Sequence, residues 1–347
     1  MSIDLTQYLD DLSARIDSAQ EQANRQAWLD FVEDRCSEDI FVPPPRHPAP
    51  PRIDWPKVSV NDAMNDADAM LLHQFAAVSD VLTASGGDRL NVRCNYGTGI
   101  GATLFGCELF MMDESLDTLP TSKPLGQDRL AALLDAGMPD LCTGLGASVF
   151  EAAGRFLEVF QRWDALGENI ELYHPDMQGP IDIAELVWGS EMFYAFYDDT
   201  ELLQRLLALI TETYIAFMHK WYGLIGKPEA VTTHWGCAQR GALMIRNDSL
   251  MNLSPDIYTQ FVRPLDQRCF DELGGGAIHF CGRGDHFIEL MSEMRGLSAI
   301  QLSQPEYNEM ETIYRHTVDK EIKLLGLDPT AARAAGRPLR GQVHCRE

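Results

Sequence analysis

Residues 241–281, "GALMIRNDSLMNLSPDIYTQFVRPLDQRCFDELGGGAIHFC", predict a strand, a helix and a second strand. The runs 241–246 and 276–281 are short and apolar, as buried strands are, whereas 254–274 has the apolar spacing of a helix and ends on glycine. Because apolar runs and helical patterns alternate from Val58 onward, the sequence indicates βαβ units and a parallel sheet.

The number of predicted strands favours a barrel over an open sheet. Further short apolar runs lie at 90–94, 103–111, 169–173, 230–235, 298–303 and 339–345. A doubly wound open sheet is the alternative, but no convincing G-x-G-x-x-G motif follows a strand and opens a helix. We therefore predict an α/β fold, a (β/α)8 TIM barrel over residues 58–347.

Residues 1–57 form a separate region in this prediction. Apolar residues recur at helical spacing from Leu5 to Ile16, and the stretch 41–56, "FVPPPRHPAPPRIDWP", contains prolines that break regular structure. Such a stretch favours an extended conformation. We expect an N-terminal helical and proline-rich extension, an arm that covers a neighbouring surface or leads into the barrel.

The charge balance excludes several classes of partner. The chain has 52 acidic and 28 basic residues and a net charge of -24, so its surface repels nucleic acid and anionic lipid headgroups. No apolar run approaches the roughly 18 residues of a membrane span, and we expect no secretory leader. We therefore expect a cytoplasmic protein whose cysteines are thiols, with no nucleic acid and no membrane as partner.

His279 and Cys281 end a predicted strand. Side chains alternate faces along a strand, so an imidazole and a thiol converge where barrel enzymes have their active sites. Both groups are zinc ligands, and a catalytic zinc needs a third. Cys345, which ends the last predicted strand, is the first choice, and His234 and Cys237 are alternatives. The competing interpretation is that His279 and Cys281 are core residues without a metal.

Polar residues near other predicted strand ends complete the candidate site. We expect substrate-binding side chains at Asn95, Tyr96, Gln178, Trp235, Arg246 and Tyr307. Catalytic groups are expected at Asp176, His234, Asp248 and Glu306. Glu306 could act as a base or as the partner that orients His279. Roles in turns and helix caps are the alternative for Asp176, Gln178 and Asp248.

Three motifs in sequence carry a family resemblance. "QGP" (178–180), "SPDIY" (254–258) and "HFCG" (279–282) occur in the order in which the uroporphyrinogen decarboxylase superfamily has them, and the chain resembles that superfamily over residues 80–347. The resemblance implies a (β/α)8 barrel with a deep cleft. One branch of the superfamily decarboxylates the acetate arms of a tetrapyrrole without a cofactor. The other transfers methyl groups with a zinc held by a histidine and two cysteines.

The chain is more similar to the methyltransferase branch. It has no stretch like the R-Q-A-G-R-Y motif with which the decarboxylases bind their polyanionic substrate, and its net charge of -24 opposes such a substrate. The resemblance implies that His279, Cys281 and Cys345 hold the zinc.

The predicted function is a zinc-dependent methyltransferase or demethylase. It would move a methyl group between a small methylated substrate and a thiol or a corrinoid (cobalamin) carried by a partner protein. The protein could also form a homodimer, because the long apolar helix at 202–226 could pack on a second subunit instead of on the barrel. Two alternatives stay open. One is a metal-free carboxy-lyase acting on a small carboxylate through His234, Arg246 and Asp248. The other is a non-catalytic barrel that binds a ligand, or a partner through its arm.

Overall fold

The computed structural model describes residues 4–228 and 230–346. The strands, in chain order, are β1 Ile40–Phe41, β2 Asn91–Val92, β3 Glu108–Phe110, β4 Thr121–Lys123, β5 Glu171–Leu172, β6 Val231–His234, β7 Cys237–Arg240, β8 Leu243–Arg246, β9 Gly276–Phe280, β10 Leu297–Leu302, β11 Lys323–Leu327 and β12 Val343–Cys345.

The α-helices, in the same order, are α1 Thr6–Ser13, α2 Ser18–Val32, α3 Val60–Asn65, α4 Ala67–Ala84, α5 Ile100–Leu104, α6 Gln127–Ala136, α7 Leu145–Arg162, α8 Asp164–Asn169, α9 Pro180–Trp188, α10 Met192–Asp198, α11 Thr200–Ile225, α12 Pro255–Ile257, α13 Arg263–Leu273, α14 Ile288–Ser292, α15 Met310–His316 and α16 Pro329–Arg333. A π-helical turn at Tyr258–Val262 joins α12 to α13. Within the described residues, no helix has the length and apolar character needed to cross a membrane.

Six strands form one parallel sheet in the order β1-β12-β11-β10-β9-β8. β2 and β5 form a separate parallel pair, while β3 with β4 and β6 with β7 form antiparallel hairpins. The α/β class predicted from the sequence is therefore confirmed. The pairings of the described residues do not close an eight-stranded barrel, so barrel closure stays a prediction.

Several predicted strands differ from the observed ones. Residues 103–111 were expected to form a strand of the main sheet, but α5 occupies Ile100–Leu104 and only the end of the run pairs, in the β3–β4 hairpin. The run 230–235 forms β6, whose partner is its neighbour β7 rather than a parallel strand. β12 begins at Val343 rather than at residue 339, where the predicted strand began, because Arg340 and Gly341 have positive φ angles of 56° and 68° and form a turn.

Three consecutive glycines allow α13 to lead directly into β9. Gly274 ends the helix with a φ of 105°, and its N–H donates to the carbonyl of Phe270. At Gly276 a Cβ would lie 1.8 Å from the carbonyl oxygen of Leu243 on β8. Only glycine permits this approach, and it fixes how β9 starts beside β8.

The sheet is covered on both faces, as parallel sheets usually are. Along β9, Ile278 and Phe280 belong to the large core, whereas Ala277 belongs to a second, smaller cluster. That cluster also contains Trp28 of α2 and Cys237 of the β6–β7 hairpin. His279 follows the alternation and lies on the same side of β9 as Ala277.

The N-terminal region packs closely on the rest of the chain. In the proline-rich stretch, the buried Arg46 guanidinium forms an ion pair with Glu21 at 2.6 Å, and the Ala49 N–H donates to the carbonyl of Leu82 on α4 at 2.9 Å. The buried side chains of Trp28 and Phe31 reach the second face of the sheet. The arm therefore covers a surface of its own chain, and a domain boundary at residue 57 stays a prediction.

Candidate metal centre

His279 and Cys281 meet at the carboxyl end of β9, as the alternation of strand side chains predicts. The Cys281 Sγ lies 3.5 Å from the His279 Nε2. His279 is buried, with 5% of its surface exposed, and Cys281 is half-buried. The thiol also lies 3.4 Å from the Ser303 hydroxyl, which follows the neighbouring strand β10.

Asp248 is the third group at this place. It begins the 3-10 turn Asp248–Asn252 that follows β8, and β8 pairs with β9. Its Oδ1 lies 3.3 Å from the His279 Nε2 and accepts a hydrogen bond from the Cys281 N–H at 3.1 Å. Among the described residues, Asp248, His279 and Cys281 are the three metal-ligating side chains whose ligand atoms lie within 4.8 Å of one another. We call them the metal trio.

The two separations measured from His279 suit a tetrahedral zinc. Ideal bonds of roughly 2.3 Å to sulfur and about 2.0–2.1 Å to nitrogen and oxygen would place the ligand atoms about 3.3–3.6 Å apart. The measured separations from the His279 Nε2 are 3.5 Å to sulfur and 3.3 Å to oxygen. A nitrogen, a thiol and a carboxylate are also all ligands that zinc takes.

Hydrogen bonding on the far side of His279 supports the same interpretation. The Nδ1 contacts the Oε1 of Gln301 on β10. When Nδ1–H donates to that oxygen, Nε2 presents a lone pair to Asp248 Oδ1, which is itself an acceptor. In this tautomer the Nε2 lone pair and Asp248 Oδ1, which lie 3.3 Å apart, are both available to bind one cation.

Burial keeps the Cys281 thiol protonated when no cation is bound. Burial, together with the nearby charge of Asp248, raises the pKa of Cys281 to about 11. Burial also opposes charge on Asp248, but the hydrogen bond and the charge of His279 outweigh it and hold the pKa of Asp248 below its usual range. The trio thus offers one carboxylate, and a thiol that a cation would convert to thiolate.

A buried carboxyl group positions the loop that carries Asp248. Asp182, near the start of α9, accepts hydrogen bonds from the backbone N–H of Asp248 at 2.7 Å and of Ser249 at 2.9 Å. Burial and the charge of Asp248 raise the pKa of Asp182 to about 7. Gln178 and Asp182 line a cavity of about 380 Å³ beside Asp248. This cavity reaches the trio at Asp248, which lines it.

A second polar group lies next to the trio. It consists of the buried Asp176, His234 and Arg246 and the half-buried Arg93. The Asp176 carboxylate contacts both guanidinium groups, and although burial opposes its charge, the two arginines hold the pKa of Asp176 below its usual range. The Arg246 Nη2 lies 2.6 Å from the His234 Nε2. Burial lowers the pKa of His234 well below its ordinary value, so this imidazole is neutral and accepts from Arg246.

Trp235 contacts both the arginine group and the trio. It occupies the turn of the β6–β7 hairpin with a φ of 47°. The Arg246 guanidinium lies 4.5 Å from the centre of the indole ring, and the centre of the His279 ring lies 4.9 Å from it. The indole thus packs against both groups.

Cys345 lies outside the metal trio. It is fully buried on β12 and belongs, with Val343, to the large core. The intervening His344 faces the other side, where its ring packs 4.6 Å from that of Trp28 and its Nδ1 accepts from the Gly326 N–H. The structure therefore brings Asp248, not Cys345, to His279 and Cys281.

The remaining predicted residues fall into two sets. Asn95 lines a cavity of about 340 Å³ with Arg93 and Trp235, and the neighbouring Tyr96 is buried in the large core. Glu306 and Tyr307 lie on an exposed 3-10 turn, and no hydrogen bond or ion pair within residues 4–228 and 230–346 joins them to the trio. The orienting role expected of Glu306 belongs to Gln301, which lies on the paired strand.

Sequence reasoning missed Asp182 and Gln301. Asp182 is an acid in the first turn of a helix, where an acid normally serves as a cap, so its sequence context gives no sign of a second role. Gln301 did carry a signal. It is a polar residue inside the apolar run "SAIQLS" at 298–303, and a polar side chain within a buried strand needs a partner.

Comparisons with known proteins identify the fold. No protein family model and no curated protein matches the chain. Among solved structures, it is similar to a methyltransferase from Methanosarcina mazei, with a TM-score of 0.63 and 17% sequence identity, over 87% of this chain and 82% of that chain. At this identity the likeness concerns the fold alone. The chain thus shares its α/β fold with a methyltransferase.

Proposed function

We propose that this protein is a zinc-dependent methyltransferase that moves a methyl group between a small methylated substrate and a thiol or a corrinoid protein. The single observation that carries the proposal is the convergence of the Asp248, His279 and Cys281 ligand atoms at separations that suit one zinc ion. The fold shared with a methyltransferase supports it. A closed (β/α)8 barrel is part of the same proposal.

The residues of the trio have distinct roles in this proposal. His279 and Cys281 hold the metal, and Asp248 supplies the third ligand, which leaves a fourth position open for substrate. When bound there, zinc would act as a Lewis acid that lowers the pKa of a ligating thiol and so provides a thiolate nucleophile. Gln301 orients the His279 ring, and Asp182 fixes the backbone of Asp248.

The cavity beside Asp248 is the proposed place of the methylated substrate. Its walls include Gln178, Glu185 and Ser249, which supply carboxylate, amide and hydroxyl groups. Trp235 packs against the His279 ring and the Arg246 guanidinium and so holds both beside the proposed substrate position. A corrinoid, where one takes part, would arrive on a partner protein that docks over the carboxyl ends of β8 and β9. A homodimer stays a prediction.

Metal analysis tests this proposal directly. Protein purified without chelator is expected to contain about one zinc per chain, and Cys281→Ala is expected to lose most of it. Cys36→Ala is the matched control, because Cys36 is also a half-buried free cysteine but lies outside the trio. The proposal fails if wild-type protein binds less than about a tenth of an equivalent, or if Cys281→Ala retains zinc as the control does.

One observation favours a second candidate function, a metal-free carboxy-lyase. Arg93 and Arg246 share one carboxylate, and the Nε and Nη1 of the buried Arg246 have no hydrogen-bond partner among the described residues. A small carboxylate substrate could satisfy those donors. Release of carbon dioxide from candidate acids by zinc-stripped protein, abolished in Arg246→Met, would favour this function. Turnover that requires zinc would exclude it.

A further inference from the structure

A second cavity lies apart from the metal trio. It measures about 510 Å³, a size typical of small-molecule sites. Its walls come from α2, from the end of α7 and from the segments that lead into β5 and β6. None of its lining residues belongs to the trio or to the cavity beside Asp248, so the proposed chemistry makes no use of it.

The lining has two chemical parts. Most of the wall is apolar, with Leu157, Phe160, Ile170 and Ile225 among its residues. The charged residues Arg25, Arg89, Glu171 and Lys227 complete it. A basic majority is unusual in a chain whose net charge is -24, and it points to an anionic group on the ligand.

The two arginines have only neutral partners. Arg89 is buried, and its Nη1 donates to the Asn24 Oδ1 at 3.2 Å, while the exposed Arg25 donates to the backbone carbonyl of Glu168 at 3.2 Å. Neither forms an ion pair with an acid of residues 4–228 or 230–346. Both arginines line the cavity. Burial, and then the charge of Arg25, lowers the pKa of Arg89, and the charges of Glu171 and Glu21 oppose this shift.

The nearest acids are already engaged. The Glu171 carboxylate accepts hydrogen bonds from the N–H and the hydroxyl of Thr233 at 2.9 and 2.5 Å. The Glu21 carboxylate is paired with Arg46 through contacts of 2.6 and 2.8 Å. These acids reduce the positive charge of the lining, but neither forms an ion pair with Arg25 or Arg89. An anion that entered the cavity would therefore still find two guanidinium groups without an ion-pair partner among the described residues.

We propose that this cavity binds a small amphipathic carboxylate. Its carboxylate would lie against Arg25 and Arg89, because guanidinium groups bind carboxylates through paired hydrogen bonds. Its apolar body would lie along Leu157, Phe160 and Ile225. This site is independent of the zinc site, and occupancy of one does not require the other.

Calorimetric titration of the full chain with decanoate, below the concentration at which decanoate forms micelles, tests the proposal. We expect saturable binding, and clearly weaker binding of decanol, which has the same chain and no charge. Arg25→Glu should weaken decanoate binding about tenfold, because it replaces a charge-assisted contact by repulsion. Arg205→Glu, an exposed arginine on α11 outside the lining, is the matched control and should bind as wild type does.

A second variant locates the site. Leu157 is half-buried, so Leu157→Trp adds volume at the cavity wall and should also reduce binding. Zinc content should not change in either variant, which separates this outcome from that of the metal analysis. The proposal is overturned if decanoate does not saturate, if decanol binds equally well, or if Arg25→Glu and Arg205→Glu bind alike.

Discussion

Two histidine–cysteine contacts within the described residues have nearly equal lengths but different surroundings. At the metal trio, Cys281 Sγ lies 3.5 Å from His279 Nε2, and the third group is the Asp248 carboxylate. Inside the second cluster, Cys237 Sγ lies 3.6 Å from His344 Nδ1, and the third group is the Arg346 guanidinium at 3.3 Å. Cys281 is half-buried and its neighbour Asp248 lines a cavity, whereas Cys237 is fully buried.

The comparison shows that a histidine next to a cysteine does not by itself make a metal site. A carboxylate adds the negative charge that a divalent cation needs, whereas a guanidinium repels the cation. Access matters as well, because the ion must reach its ligands. Burial raises the pKa of both thiols to about 11, so burial does not distinguish the two contacts. The sign of the third charge and the access to solvent do.

Replacing the histidine in each contact gives the largest expected difference. His279→Ala should lower zinc affinity more than about a hundredfold. Mutating a residue that only hydrogen-bonds to a metal ligand already lowers metal affinity roughly 10–100-fold, and His279 is itself a proposed ligand. His344→Ala should leave zinc affinity unchanged and lower the melting temperature, because His344 packs among Trp28, Phe31 and Phe41. Competition with a chelator and thermal unfolding measure the two effects. Equal zinc loss in both variants would contradict the conclusion that His279, and not His344, binds the metal.

Removing the negative charge of the trio should have the next largest effect. Asp248→Asn keeps an oxygen at the same place but removes the charge, and we expect zinc affinity to fall roughly tenfold to a hundredfold. Asp256→Asn is the control, because Asp256 is an exposed acid in α12 outside the trio. Chelator competition measures both variants. If Asp248→Asn binds zinc as tightly as Asp256→Asn does, Asp248 is not a ligand.

The residue that orients His279 should matter less. Gln301→Ala removes the acceptor of the Nδ1 proton, so the ring loses its fixed orientation, and we expect about a tenfold loss of zinc affinity. Gln301→Glu restores an acceptor and should recover most of it. A purely structural role would predict that both variants lower the melting temperature without the difference in zinc affinity.

The last prediction concerns a different quantity, the pH dependence of stability at the second contact. Burial, with the charge of Arg346 nearby, lowers the pKa of His344 from its ordinary value of 6.5 to about 3. The unfolded chain therefore takes up this proton first, so the contribution of His344 is complete above pH 6.5 and is lost as the pH falls towards 3. The slope is at most about 1.4 kcal/mol per pH unit. Urea unfolding at several pH values should show a flatter dependence for His344→Phe, and an unchanged slope would contradict the assignment.

The local part of the site could be predicted from the sequence. His279 and Cys281 are two residues apart in an apolar run, and the period of a strand places them on one side without any knowledge of the fold. The same period shows that only one of His344 and Cys345 can face that side. Which one does so depends on how β12 is placed in the sheet, and the sequence did not contain that information.

The non-local part could not be predicted. Asp248 was expected as a catalytic group, but its place beside His279 results from the pairing of Arg246 with His279 between β8 and β9. The strand β11 was missed because Lys323 and Gly326 interrupt its apolar pattern, although the Lys323 side chain is paired with Asp34. In each case the deciding contact joins residues that are distant in the chain.

The close approach at Gly276 has a consequence for the coordination distances. Its Cα passes so near the Leu243 carbonyl that a single added methyl group would push β9 away from β8. Asp248 follows β8 and His279 lies on β9. A shift at the start of the two strands would therefore move the Asp248 oxygen away from the His279 nitrogen at their carboxyl ends. The distance between the two donor atoms thus depends on a backbone contact at the first residues of both strands, where neither donor residue lies.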